Sequence, residues 1–214
     1  PPGLDQQLFP VLRKCGTLAA RLRQGQTSNR LWIGNVNATN MNNNSLVEIR
    51  EAKLPNDIDF VRRLWMDYLT WGNDKMQMLY GVHPHNPKEA VNQDIEMIDK
   101  FLPPNGRLML AFIDNHACGI GCLKSINEEI GEIKRMYVDT SFRQIGAGRA
   151  ILQSLLNAAK ETGYTKVRLD SPKFMEAAHS LYRSFGFKDI SVYEEVEIPE
   201  EFRQYLLFME LDLS

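Results

Sequence analysis

The chain has 214 residues, 43% of them hydrophobic and 24% charged, with a formal net charge of −2. That suits one globular domain with an extension, and the near-neutral balance argues against a general nucleic-acid binder. No apolar run approaches the ~20 residues of a membrane span, and Cys15, Cys118 and Cys122 complete neither a disulfide framework nor a zinc set. A cytoplasmic protein without a metal is expected.

The N-terminal part is distinct. Residues 6–47 contain no Asp or Glu but include Arg13, Lys14, Arg21, Arg23 and Arg30. Residues 1–40 hold five basic residues and one acidic; taken from totals of 25 and 27, they leave 20 and 26, a charge of −6 for 41–214. Val11, Leu12, Cys15, Leu18, Ala19 and Leu22 recur at helical spacing after Pro10. "NVNATNMNNNS" then reads as a linker. The segment fits a transit peptide, a docking helix, or sequence upstream of a natural start at Met41. Residues 1–45 are therefore expected to be an extension with an Asn-rich linker, and 46–214 the folded domain.

"LVEIREA" alternates as a short strand. "DFVRRLWMDYLTWGN" carries Phe60, Val61, Leu64, Trp65, Tyr68 and Trp71 at helical spacing, with Gly72-Asn73 as a stop signal. A second helix is expected between Pro87 and Pro103-Pro104. "RLMLAFID", "ACGIGCLKSI" and "GEIKRMYV" read as three strands joined by turns at Asp114-Asn115 and Asn127 to Ile130. A helix from about Gly146 to Thr162 buries Ile151, Leu152, Leu155, Leu156 and Ala159. "KVRLD" is a strand, "KFMEAAHSLYRSFG" a helix closed by Gly186, and "LLFMELDL" a last strand, with an extra strand near Ile190. The order predicts an α/β fold with a mixed sheet.

Between Asp139 and Glu161 there is no acidic residue, and Gly146 and Gly148 stand between a strand and a helix. The dinucleotide fingerprint and the P-loop are both absent. What remains is Arg143-x-x-Gly146-x-Gly148 followed by Arg149, a glycine-rich helix start whose free N–H groups and dipole suit a pyrophosphate. The alternative is a turn that only packs helix against sheet.

"EIKRMYVDTSFRQIGAGRAIL" with "AAHSLYRSFGF" resembles the GNAT N-acetyltransferase superfamily, over residues 46–213, and the wording also resembles a bacterial subgroup of small, mostly uncharacterised members. The resemblance implies a mixed, mostly antiparallel twisted sheet of six to seven strands with about four helices, and acetyl-CoA as co-substrate. It makes Arg143, Gln144, Gly146, Ala147, Gly148 and Arg149 the pyrophosphate loop, and Met136, Tyr137 and Val138 the strand that pairs with the pantetheine arm. An N–H of Met136 or Val138 would polarise the thioester oxygen. Many members carry Asn where this chain has Met175, so one hydrogen bond to that arm is not expected.

Acetyl transfer needs a base for an amine of pKa near 10.4 and an acid for the leaving thiolate. Glu132, eleven residues before Arg143, matches the spacing of the catalytic glutamate in histone-type members. The other reading of Glu132 is an edge carboxylate paired to Lys134. Tyr182 resembles the family's general acid; the alternative is a core aromatic. Trp65, Tyr68 and Trp71 are candidates for the acceptor pocket, though such a stripe also suits a core. His83 and His85 lack metal spacing, and His179 is expected at the surface. The expected function is acetyl transfer to a primary amine of a small molecule or protein, with no nucleic-acid or membrane partner and a homodimer left open. Its rival is a GNAT-fold acyl-CoA-binding sensor without catalysis. A toxin acting on aminoacyl-tRNA would want a basic face, which the −6 charge opposes.

Overall fold

The computed structural model describes residues 47–214. The expected N-terminal helix, the Asn-rich linker and the boundary at 45/46 lie outside the described residues. The elements are β1 (Glu48–Glu51), α1 (Ile58–Tyr80), α2 (Pro87–Glu96), β2 (Arg107–Ile113), β3 (His116–Ser125), β4 (Ile130–Val138), α3 (Ala147–Thr162), β5 (Lys166–Pro172), α4 (Glu176–Ser184), β6 (Lys188–Ile190), α5 (Glu200–Arg203) and β7 (Leu206–Asp212). Short 3₁₀ turns occupy Ile98–Phe101 and Thr140–Phe142. The order matches the sequence reading, including the extra strand near Ile190.

The seven strands run β1-β2-β3-β4-β5-β7-β6, and of their pairings β4 with β5 alone is parallel. Strand alternation sorts the core onto two faces. Met109, Ala111 and Ile113 of β2 join a cluster with Ile151, Leu152 and Leu155 of α3. Leu108, Leu110 and Phe112 join the opposite cluster with Val61, Leu64 and Trp65 of α1. This is why "RLMLAFI" is apolar at nearly every position. The turn at Asp114-Asn115 holds both residues at positive φ, 48° and 63°, as a two-residue hairpin turn requires. At Gly121 a Cβ would stand 2.6 Å from Ile151 and 2.9 Å from Leu155, so glycine there lets α3 lie against β3.

α1 does not stop at Gly72-Asn73. It continues to Tyr80 and ends at Gly81, in the left-handed conformation with φ 71°, its N–H donating to the Gln77 carbonyl. The apolar stripe explains this: Leu69 and Met76 are one heptad apart and both buried. The start of α1 is anchored to β1. Asp57 accepts from Arg50 at 2.6 and 2.9 Å and from the Lys53 N–H at 2.6 Å.

The Arg50 guanidinium holds the Asp57 carboxyl below its ordinary range, despite the opposing pull of burial. A depressed carboxylate pKa contributes stability that is fully present above the unfolded value of about 3.9 and is lost as pH falls through the folded one. Asp57→Asn should therefore cost about 1.5–3 kcal/mol at pH 7, and its gap to wild type in denaturant melts should close below about pH 4.

Candidate functional site

The parallel pairing of β4 and β5 ends at Ile133 and Leu169, and beyond that point the two strands part. β4 stays paired to β3 on its other side as far as Val138, while β5 stays paired to β7. The Asp139 N–H donates to the Cys118 carbonyl of β3. By alternation the N–H groups of Met136 and Val138 point the other way, into the gap. The Val138 carbonyl does so too, since it accepts from Arg143 Nε at 3.3 Å.

At the mouth of the gap the chain turns into α3. Gln144 and Gly146 both take positive φ, 67° and 92°. Gly146 is the N-cap of α3; no side chain caps this helix start and no acidic residue occupies its first turn. α2 differs, since the Asn86 side chain accepts from Lys88 and Glu89. The first N–H groups of α3, at Ala147 to Arg149, are thus left for an acceptor from outside the helix. A Cβ on Gly148 would stand 3.6–3.9 Å from the side chains of Leu181, Val138 and Met136, in ordinary contact. Arg143 lies over the Trp71 ring at 4.8 Å, and Arg149 over Phe185 at 4.9 Å while donating to Ser184. The residues present fit an anionic group on the helix start and an extended arm in the gap.

If the uncapped start of α3 receives a phosphate, Gly148→Glu brings a like charge to it. Acetyl-CoA affinity should fall by at least about 2 kcal/mol, about thirtyfold, in calorimetric titration, with Gly148→Ala intermediate. Equal titration curves for wild type and Gly148→Glu would remove the site.

Tyr182 of α4 is buried, and its hydroxyl points to Met136 Sδ at 3.8 Å, beside the gap. Burial pushes its phenol well above the ordinary value, and the charges of Tyr68 and Asp170 push the same way. At neutral pH the group therefore carries its proton.

Glu132 is fully buried. Its Oε1 accepts from the Tyr193 hydroxyl at 2.6 Å and pairs with Lys134 at 3.0 Å. Its Oε2 faces Lys124 at 3.2 Å without a directed hydrogen bond. Lys134 is shared with Asp170, and Lys124 with Glu197 at 2.6 Å. A carboxylate held between two ammonium groups, with no exposed surface, does not present itself to an amine. The expectation of Glu132 as the base meets this obstacle, and the pairing with Lys134 is the reading that the geometry favours.

A cavity of about 400 Å³ opens beside this network, within the ~300–1,000 Å³ range of small-molecule sites. It is lined by Leu69, Pro84, His85, Asp94, Lys100, Lys134, Arg135, Glu197, Ile198 and Phe202, among others. Six of its residues, including His85 and Arg135, also line a smaller pocket of about 100 Å³ that reaches Tyr68, Asp170 and Met175 at the gap. The aromatic stripe is divided accordingly. Tyr68 lines the smaller pocket. Trp65 is fully buried against Phe101, a core residue and no part of the cavity wall. Trp71 packs on Phe174 and Tyr137 beneath Arg143.

One further expectation is corrected here. His179 is buried, with Nε2 3.1 Å from the Ser171 hydroxyl. His83 pairs with Asn73 at 3.2 Å, and burial lowers the pKa of His85. Among the described residues no cluster of His, Cys, Asp or Glu could hold a metal, and no helix is long and apolar enough to cross a membrane. Asp170, Arg135, Tyr193 and Phe202 were not singled out from sequence. The signal for Asp170 was available: it is the one carboxylate in "KVRLD", immediately after Leu169, the last β5 residue paired to β4.

The model of the acetyltransferase (GNAT) family matches residues 60–187. An uncharacterized N-acetyltransferase of Schizosaccharomyces pombe is 29% identical over 175 residues, 79% of this chain and 97% of that protein. Human N-acetylaspartate synthetase is 29% identical over 113 residues, 51% of this chain but only 37% of that protein. Such relatives show that the likeness is not confined to bacterial proteins. The PaiA N-acetyltransferase of Thermoplasma acidophilum, solved with coenzyme A, superposes with a TM-score of 0.59 at 17% identity, over 78% of this chain and 98% of that one. Two further neighbours of the same fold were solved with acetyl-CoA.

Proposed function

We propose that this chain, which belongs to the acetyltransferase (GNAT) family and takes acetyl-CoA as its co-substrate, transfers the acetyl group directly to the primary amine of a small molecule held in the cavity beside β4. It is an N-acetyltransferase like its relatives, and nothing about them favours the non-catalytic sensor. Direct transfer is supported by the two cysteines among the described residues. Cys118 and Cys122 are buried, and burial pushes the Cys118 thiol up to about 11, so neither offers a thiolate for an acetyl-enzyme.

In this reading the N–H groups of Gln144 to Arg149 hold the pyrophosphate. The N–H groups of Met136 and Val138 hold the pantetheine arm and face the thioester oxygen. The amine enters from the cavity, after giving its ammonium proton to solvent. Asp170, which lines the pocket at the gap, takes the second proton as the C–N bond forms and the C–S bond breaks. Tyr182 gives its proton to the departing sulfur and recovers one from solvent. Glu132 acts through Lys134, whose ammonium it shares with Asp170, and is a positioning residue.

One observation carries the proposal: the cavity and the β4–β5 gap meet, with Tyr68, Asp170 and Met175 on the pocket wall and the Tyr182 hydroxyl beside Met136. N-acetylaspartate synthetases bear a name that specifies an amino-acid acceptor, which supports a small molecule over a protein. The chain spans less than half of those proteins, so their name alone does not fix this acceptor. The test is release of free thiol from acetyl-CoA across a panel of amino acids, polyamines, aminoglycosides and peptides. Turnover with peptides alone would move the reading to a protein acceptor.

A further inference from the structure

β4 carries one residue more than β3 across it. Cys122 faces Lys134 and Ile120 faces Tyr137, which leaves Gly121 opposite both Arg135 and Met136. Arg135 takes up the extra residue with φ 53°, in the left-handed region. Such a conformation at a non-glycine persists only where the surroundings hold it, and it concentrates at ligand sites. Its effect on facing is simple. A regular strand would send neighbours to opposite faces, but here Lys134 and Arg135 line the same cavity.

The charges in that cavity are already matched on one side. Asp94 pairs with Arg135 Nε at 2.6 Å and with Lys100 at 3.5 Å. Asp170 pairs with Lys134, and Glu197 with Lys124 at 2.6 Å. Each of these carboxylates has a cation, and Asp170, on the wall of the smaller pocket, uses only Oδ1 on Lys134, so Oδ2 can meet one amine while the further ammonium groups of a polyamine find no free partner. Arg135 is different: it uses Nε on Asp94, and its two terminal nitrogens have no hydrogen-bond partner among the described residues. A guanidinium fork with free donors matches a carboxylate in two parallel bonds. Arg135 also lines the smaller pocket, together with Asp170 and the apolar side chains of Leu69, Met76, Ile198 and Phe202.

We infer that the acceptor is an amino acid, its carboxylate held by the free fork of Arg135 and its amine directed toward Asp170. This rests on the small-molecule N-acetyltransferase reading above and narrows it to one substrate class.

The test compares matched acceptors on the full chain with acetyl-CoA: L-leucine against 3-methylbutylamine, which lacks only the carboxylate, with L-aspartate and spermidine alongside. Leucine should exceed the amine in kcat/KM by about tenfold to a hundredfold, as expected for one charge-assisted bidentate contact, and spermidine should be poor. Arg135→Leu should collapse that ratio, chiefly through KM; Arg135→Lys should restore part of it, because charge returns without the fork. An acetyl-CoA titration checks that each variant is folded, and the wild-type ratio decides the matter should Arg135→Leu fail to fold. Equal or better turnover of 3-methylbutylamine or spermidine overturns the clamp while leaving the small-amine function standing. A leucine preference that survives Arg135→Leu in folded protein assigns the carboxylate to another group and also overturns it. If acetyl-CoA binds and no small amine is acetylated, both the function and the clamp fall.

Discussion

Tyr182→Phe should lower kcat by about a hundredfold to ten-thousandfold and leave acetyl-CoA affinity unchanged. The hydroxyl is the only group removed, and the ring keeps its packing 5.8 Å from Phe187. Burial pushes the phenol above its ordinary value of about 10, so at neutral pH it carries the proton it donates. Its help appears when charge develops on sulfur, hence in the transition state and not in cofactor binding. Two measurements separate the outcomes: kcat by thiol release, and affinity by calorimetry. Wild-type turnover in the variant would make Tyr182 a core aromatic and require another donor.

Glu132→Gln should lower stability by about 3–5 kcal/mol, a drop in Tm on the order of ten degrees for a domain of this size. The change keeps the shape of the side chain and removes a fully buried charge that faces Lys124, Lys134 and the Tyr193 hydroxyl. Two ammonium groups would then lie close together with less compensation, Lys134 leaning on Asp170 and Lys124 on Glu197. The rate also speaks. If Glu132 takes the amine's proton, the loss in kcat shrinks as pH rises and free amine accumulates, and Tm stays near wild type. If Glu132 positions Lys134 and Asp170, Tm falls and the loss in kcat does not shrink. Tyr193→Phe, which deletes one hydrogen bond to Oε1, should follow the same direction at smaller size.

The elements that could be read from sequence are those whose signals are local. β2 is apolar on both faces because both faces are covered, and a run of that kind needs no knowledge of its neighbours. Asp114-Asn115 declares a tight turn by residue type, and the Gly146 turn opens a helix by its own chemistry. The proposed cofactor side shares this local character, since it is built from one strand end, one turn and one helix start.

The proposed acceptor side is assembled from afar. Arg135 reaches the cavity through a bulge, and an extra residue in a strand leaves no mark on its composition. Trp65 and Tyr68 are alike as a helical stripe, and only the packing of Phe101 against one of them makes it core. Glu132 looks like a strand-edge carboxylate until Tyr193 and Glu197, about sixty residues downstream, close over Lys124 and Glu132. His179 likewise is buried, with Ser171 of β5 against its ring, a contact eight residues away in sequence that the helical pattern does not show. α1 ran past Gly72 because one glycine costs a helix about 1 kcal/mol, less than burying Met76 returns.

β7 is synthesised after β6 but lies between β6 and β5, with Leu169 facing Met209 and Asp189 facing that same Met209 across its other edge. The order of events in time follows from this. The β2-β3-β4 meander closes through short turns and can form while the rest of the chain is still emerging. β5 can then join β4, but its far edge waits with open backbone groups, and β6 has nothing to pair with, until Leu206–Asp212 arrives. A nascent chain halted before residue 206 therefore carries a half-built sheet with a sticky edge, one that a chaperone or a second such chain can cover. β7, arriving after β6, is the strand that fixes Asp170, through its partner Phe208, on the wall of the smaller pocket.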